Sequence, residues 1–155
     1  MHLYYSRMIF RDQLNEIIED PQLALMGVRI VKEEGFSFFL VIPKMNSNLK
    51  PVVRFDCTGY DLVPPLVDFV HPVTFKKLQA QYWPDSTVQD HQLYGQAICL
   101  AGTRGFHDHQ GHQREQESFD NYRNSLRLIN VVKRMKEKID GMSFPGGGPY
   151  EQYNC

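Results

Sequence analysis

The stretch LMGVRIVKEEGFSFFLVI, residues 25–42, decides the fold of this chain. Leu25–Lys32 and Phe36–Ile42 are rich in β-branched and aromatic residues, which favour strands. The polar segment Glu33-Glu34-Gly35 separates them, and Gly35 can adopt the positive φ that a tight turn requires. The pattern therefore predicts a β-hairpin.

Two further strand-like segments follow this hairpin. The first is Pro51–Phe55, and the second is Leu66–Val70, directly after the pair Pro64-Pro65. Prolines at that place exclude a central strand and indicate an edge strand or the start of a strand. Because no helical pattern interrupts the four segments, we expect an antiparallel four-strand meander between Leu25 and Val70, and hence an α+β fold.

Helical periodicity flanks the predicted sheet on both sides. Apolar residues recur every three to four positions over Ser6–Glu19, with Ser6 as the expected N-cap and Asp20-Pro21 as the stop. A second apolar stripe predicts a helix over Ser118–Ile139, with Gly141 as its C′ residue.

The remaining segments are assigned more coarsely. One short helix is expected at Phe75–Gln81, and most of the rest between residues 71 and 117 is expected to be loop. Residues 1–141 are interpreted as one domain. The glycine- and proline-rich tail, residues 142–155, is expected to be flexible.

Composition excludes several classes of function. The 17 basic and 18 acidic residues give a net charge of −1, so nothing favours nucleic acid or an anionic membrane as a partner. The longest apolar run, Phe36–Pro43, is far shorter than a membrane span, and Met1–Phe10 lacks the pattern of a signal peptide. Three cysteines, an odd and low number, favour a reducing compartment, so we expect a cytoplasmic protein.

Cys99 is the candidate nucleophile. A lone cysteine beside Ile98 and Leu100 can simply be a small core residue. Glycines follow it closely, however, and His91 and His107 lie eight residues before and after it. A thiol needs such a basic neighbour to supply thiolate at neutral pH.

Two segments resemble ubiquitin-conjugating enzymes. Residues 59–69, GYDLVPPLVDF, are similar to the part of that family where an aromatic residue precedes a Pro-Pro pair and a strand. Residues 95–100, GQAICL, resemble the family's active-site Gly-x-Ile-Cys-Leu, with one additional residue. The order of elements also matches, from Met8 to Ile139.

The resemblance implies a ubiquitin-conjugating-like fold with a long active-site loop. It also implies a transferase that carries a ubiquitin-like protein as a thioester on Cys99 and passes it to an amine. The differences from the family are typical of divergent bacterial relatives, which are encoded with an activating enzyme, a ubiquitin-like protein and a metallopeptidase. Those three proteins are the implied partners, and no cofactor or metal is implied.

One departure from the family bears on the mechanism. His71-Pro72 lies 28 residues before Cys99, and Val73 stands where the family's motif has asparagine. A histidine or a backbone N–H would then have to stabilise the oxyanion of the transfer step. We take His91, His107 and His109 as the candidates, since imidazole can donate to an oxyanion or accept the proton of the amine. Each can also be a solvated loop residue.

Two other functions stay open. The chain could be an inactive ubiquitin-conjugating-like binding module in which Cys99 only packs. Alternatively, His107, Asp108, His109 and His112 could bind zinc in a histidine-rich hydrolase. The other two cysteines are weaker candidates, because Cys57 lies at the end of a predicted strand and Cys155 is the terminal residue.

Overall fold

The computed structural model describes residues 3–109, 111, 118–122, 126–146 and 148–151. The α-helices are α1 (Leu3–Glu19), α2 (Pro21–Leu25), α3 (Arg104–His107), α4 (Phe119–Tyr122) and α5 (Leu128–Asp140). The strands are β1 (Arg29–Glu34), β2 (Ser37–Val41), β3 (Val52–Asp56), β4 (Leu66–Val70), β5 (Val88–His91) and β6 (Gly95–Ala97). Within the described ranges, 3₁₀ turns lie at Ala80–Tyr82 and Pro149–Glu151.

The main sheet has the predicted topology. Its four strands run in the order β1-β2-β3-β4 with every pair antiparallel. Gly35 makes the first turn at φ 59°, and β4 forms an edge, as the Pro64-Pro65 pair indicates. The protein is therefore α+β, with an N-terminal helix before the sheet and a C-terminal helix after it.

The first helix differs from its prediction at one end. It begins at Leu3, so the assignment of Ser6 as the N-cap is wrong: Ser6 lies within the helix and is buried. The stop at Asp20-Pro21 is confirmed. The Asp20 carboxylate accepts a hydrogen bond from the Leu23 N–H (2.9 Å) and starts α2. This short helix moves the start of β1 from Leu25 to Arg29.

The core lies between the sheet and helices α1 and α5. Phe38 and Phe55 stack across β2 and β3 with ring centroids 5.0 Å apart, and Leu14 and Met135 are fully buried in the same cluster. The side chain of Gln13 joins the layers, since its Oε1 accepts hydrogen bonds from Tyr60 Oη and Leu128 N, both at 2.8 Å.

The second long helix is interrupted. One continuous helix over Ser118–Ile139 is wrong, because residues 126 and 127 between α4 and α5 are not helical. Arg127 is extended (φ −69°, ψ 159°), and Gln13 satisfies the first amide of α5. Gly141 caps α5 at φ −94°, so it does not use the left-handed conformation expected of a C′ glycine.

The region after β4 contains more regular structure than predicted. The helix expected at Phe75–Gln81 is wrong, because Phe75 has φ 61° and Lys77 forms an antiparallel bridge with Val70 at the edge of β4. The Phe75 ring packs on Phe39 on the outer face of the sheet, with centroids 5.1 Å apart. Strands β5 and β6 then form a small hairpin in place of the expected loop.

Described residues of the tail contact the core. Phe144 and Tyr150 surround Phe69 with ring centroids 5.9 and 6.5 Å away, and the Lys50 N–H donates to the Tyr150 carbonyl (2.9 Å). Within the described part of the chain, no helix combines the length and apolar character needed to cross a bilayer.

Candidate functional site

The candidate residues lie on the β5–β6 hairpin and the segment that follows it. His91 ends β5 opposite Gly95 of β6, and Gly95 turns the chain with φ 68°. Cys99 comes two residues after β6, and α3 begins five residues after Cys99. Of the four predicted site residues, His91 lies in the hairpin and His107 in α3, whereas Cys99 lies between the two elements and His109 follows α3.

Cys99 lies at the boundary between core and surface. Its neighbour Ile98 is 1% exposed, whereas Cys99 is half-buried. Burial raises the pKa of the Cys99 thiol, and the ammonium of Lys138 on α5 opposes this shift. The thiol is therefore accessible but mostly protonated at neutral pH, so its reactivity depends on a partner that favours thiolate.

The two described cysteines should react with an alkylating agent at different rates. Iodoacetamide is expected to modify Cys99 well before Cys57, because Cys57 is fully buried and burial raises its thiol pKa well above the ordinary value. The Cys99 rate should still increase above pH 9, since its pKa is also raised. Peptide mass spectrometry after timed alkylation measures both rates. Faster modification of Cys57 in the folded protein would contradict this placement of the two thiols.

The segment between Cys99 and α3 folds back on itself. Gly102 adopts φ 96°, as the glycine-rich sequence suggested. The Thr103 side chain is fully buried, and its Oγ1 donates to the Leu100 carbonyl at 2.7 Å. The Gly102 N–H donates to Nε2 of His107 at 2.9 Å, which closes the turn.

His107 is directed into the protein. Its ring is 8% exposed and packs against Phe119 and Tyr122 of α4, with centroids 5.4 and 5.0 Å away. Because Nε2 accepts the Gly102 N–H, the imidazole is neutral with its proton on Nδ1. This geometry favours a structural role for His107 over contact with substrate.

Arg104 ties this segment to the Pro64-Pro65 turn. Its backbone N–H donates to the Pro65 carbonyl (2.8 Å), Nε donates to the Pro64 carbonyl (2.8 Å) and Nη2 donates to the Thr58 carbonyl (2.6 Å). Hydrogen bonds from a charged donor are each worth about 1.5–3 kcal/mol. Arg104 thus fixes the segment after Cys99 against the Pro64-Pro65 turn.

Gly105 lets α3 approach β6 closely. A Cβ at this position would lie 2.1 Å from the Ile98 carbonyl oxygen and 3.0 Å from its carbon, so only glycine fits without moving the backbone. The contact sets the distance between α3 and the strand that leads to Cys99.

Gly105→Ala is expected to lower the free energy of unfolding by roughly 3 kcal/mol or more, because two backbones must separate. The matched control is Gly146→Ala, where nothing lies within 4 Å of the added Cβ and the change should be within about 0.5 kcal/mol. Urea unfolding followed by tryptophan fluorescence measures both. Equal stability of the two variants would contradict the close contact.

His91 and His109 form one cluster with Tyr94 and Asp108. The two imidazole centroids are 5.4 Å apart, and the Tyr94 ring lies 4.9 Å from His91. Tyr94 Oη donates to Asp108 Oδ2 (2.6 Å), and burial followed by this carboxylate raises the pKa of Tyr94 to about 12. Gln92 Nε2 donates to the Asp108 carbonyl (2.7 Å), so the hairpin and the end of α3 are bonded at two points.

Both imidazoles in the cluster present the same tautomer. Nδ1 of His91 accepts the Leu93 N–H (3.1 Å), and Nδ1 of His109 accepts the Gly111 N–H (3.0 Å), so each neutral ring carries its proton on Nε2. Burial and the neighbouring His109 lower the pKa of His91, although the Gly105 carbonyl and Asp108 oppose the shift. His91 is only 4% exposed whereas His109 is half-buried, so a substrate can reach His109 more readily.

The structure therefore sorts the predicted histidines into two groups. His91 and His109 lie together, while His107 occupies a separate position beneath α4. No group of three His, Cys, Asp or Glu side chains that could hold a metal ion occurs in the described ranges, and His112 and Cys155 lie outside them. A zinc site that uses His112 remains a hypothesis.

Three residues that hold the cluster and the turn after Cys99 were missed by the sequence analysis: Lys77, Tyr94 and Arg104. Asp108 was considered only as a possible zinc ligand, and its place between two candidate histidines was the signal for it. The three missed residues gave no such signal, because each acts through a carbonyl or a side chain that is distant in sequence.

Comparisons with known proteins do not place the chain in a family. A scan against models of protein families finds no match, and a search of curated proteins finds none either. The likeness to ubiquitin-conjugating enzymes rests on the segments at residues 59–69 and 95–100 and on the order of elements.

Proposed function

We propose that this chain is a ubiquitin-conjugating-type acyltransferase that carries a ubiquitin-like protein as a thioester on Cys99. The observation that carries the proposal is the position of Cys99: half-buried, directly after the fully buried Ala97 and nearly buried Ile98, and followed by a turn pinned at Gly102 and Arg104. An acyl-carrier cysteine requires a rigid backbone on either side of it and a thiol that the acyl donor can reach.

The proposed reaction has two steps. The Cys99 thiolate attacks the thioester carbonyl held by an activating enzyme, a new C–S bond forms, and the cysteine of that enzyme leaves as thiolate. An amine nitrogen then attacks the Cys99 thioester, and a tetrahedral oxyanion forms. Collapse breaks the C–S bond, releases the Cys99 thiolate and leaves an amide, while the amine proton passes to solvent.

We assign the second step to the cluster of His91, Tyr94, Asp108 and His109. Its most accessible imidazole, His109, carries a proton on Nε2 when neutral, and this N–H can donate a hydrogen bond to the oxyanion. His91 is nearly buried and supports His109 through the ring contact at 5.4 Å. His107 is assigned to the turn after Cys99 and takes no part in the transfer.

An inactive binding module is the second candidate. The observation in its favour is that burial raises the pKa of the Cys99 thiol, which is typical of a packing cysteine. Such a module would bind the ubiquitin-like protein without forming a covalent bond.

A non-reducing gel distinguishes the two functions. The chain is incubated with ATP, the cognate activating enzyme and the ubiquitin-like protein, which in the bacterial setting proposed here are encoded beside it. We expect a band at the summed mass that disappears on addition of reductant. If the ubiquitin-like protein binds in gel filtration and no such band forms, the chain is a binding module.

A further inference from the structure

Lys77 lies where the edge of the main sheet meets the β5–β6 hairpin. Its backbone bridges Val70 of β4, and the following amide, that of Leu78, donates to the Phe69 carbonyl (3.0 Å). The backbone from which the Lys77 side chain extends is therefore fixed to the sheet. Its ammonium lies 5.4 Å from the centroid of the Trp83 ring, which further limits its direction.

The ammonium of Lys77 binds the hairpin where the turn leads into β6. Nζ donates to the Tyr94 carbonyl (3.1 Å) and to the Gln96 carbonyl (3.0 Å), and it lies 3.4 Å from Oδ1 of Asp68 on β4. Residues 94 and 96 flank Gly95, which pairs with His91 in the hairpin. One cation thus connects the main sheet to the turn that carries the imidazole cluster.

Tyr94 connects the hairpin turn that Lys77 holds to the cluster of His91, Asp108 and His109. Its carbonyl is held by Lys77, its ring packs on His91, and its hydroxyl donates to Asp108, the residue before His109. Moving the turn would move the ring and the hydroxyl together. A displacement of about 1 Å at a catalytic group can cost on the order of 10²-fold in rate.

We propose that Lys77 is a positioning residue for the transfer step, holding the β5–β6 turn so that Tyr94 and Asp108 place His109. This inference rests on the proposed function. Lys77 acts at the hairpin turn, whereas Cys99 is held by the turn that Arg104 and His107 stabilise. Its loss should therefore slow transfer to an amine and spare formation of the thioester.

The central test compares loading and discharge in Lys77→Met. We expect loading from the activating enzyme within about twofold of wild type and discharge to a free amine slower by about tenfold or more. Lys77→Arg, which retains donors for two carbonyls and a charge for Asp68, should restore most of the discharge rate. Lys76→Met, at the adjacent exposed lysine, is the matched control and should discharge normally. Equal loss of loading and discharge, or normal discharge, in Lys77→Met would overturn the inference.

A double variant controls for the buried charge that Lys77→Met leaves unpaired on Asp68. This carboxyl is 8% exposed, burial raises its pKa, and Lys77 opposes the shift, so Lys77→Met alone leaves a buried charge without its partner. The double variant Asp68→Asn/Lys77→Met removes that charge. We expect its discharge to be as slow as that of Lys77→Met, and normal discharge would show that the hydrogen bonds to the turn do not matter.

A measurement without any partner protein separates failure of the inference from failure of the proposed function. If wild type forms no thioester, the proposed function is wrong, and the position of the cluster is then followed by NMR titration of His91. Its pKa should lie below the ordinary value in wild type and in Lys76→Met, and should rise in Lys77→Met as the cluster loosens. An unchanged His91 pKa in Lys77→Met would show that Lys77 does not position the cluster.

Discussion

Cys99→Ala is expected to abolish the adduct with the ubiquitin-like protein completely. Alanine has no atom that can replace the sulfur as nucleophile, so no adduct should be detectable on the gel. Cys99→Ser should instead retain a slower adduct, because its hydroxyl can attack the same carbonyl. That adduct is an oxyester, which resists reductant and is cleaved by hydroxide.

The other cysteines provide the controls. Cys57→Ala should load normally, since Cys57 is fully buried directly after β3, and Cys155→Ser removes the terminal thiol. A reductant-sensitive adduct that persists in Cys99→Ala and disappears in Cys155→Ser would move the acyl carrier to the tail. An adduct that persists in every variant would exclude a cysteine thioester.

His109→Ala is expected to slow discharge of the thioester by about 10²–10³-fold, the usual effect of losing one oxyanion donor. The rate of loading from the activating enzyme should change little. The oxyanion of the loading step forms next to the activating enzyme's cysteine as well as next to Cys99, so it depends less on His109. His109→Gln retains an N–H donor and should lose less. Single-turnover discharge to free lysine, after the loading mixture is quenched with EDTA, measures these rates.

His107 is the internal comparison for this prediction. Because its Nε2 closes the turn after Cys99 and its ring packs beneath α4, His107→Ala should impair loading and discharge together. If His109→Ala showed that same pattern, His109 would be structural too. If His107→Ala alone slowed discharge selectively, the assignment of the two histidines would be reversed.

Local patterns were sufficient for the topology of the main sheet and for the end of the first helix. Two segments rich in β-branched and aromatic residues within residues 25–42, with Gly35 between them, predict a hairpin from local sequence alone. The stop at Asp20-Pro21 is equally local, because proline restricts the residue before it. These features need no information about distant residues.

Distant contacts decided where the local predictions were wrong. The break before α5 depends on Gln13, which accepts the Leu128 N–H from 115 residues away. The β5–β6 hairpin has strands of four and three residues, too short for a periodic signal, and contacts from outside the hairpin hold it: Lys77 binds the Tyr94 carbonyl and the Asp108 carbonyl accepts from Gln92. A propensity argument cannot include partners that are brought together only by folding.

By itself the sequence determined the α+β class, the antiparallel meander and the choice of Cys99 as the residue to examine. It offered three histidines of the same chemistry and no means to rank them. The tertiary structure separates them by position, because the Gly102 amide and the aromatic rings of α4 hold His107 inside while the hairpin brings His91 to His109. The physical reason is that residue type sets what a side chain can do, whereas its burial and hydrogen-bond partners set which side chain can do it.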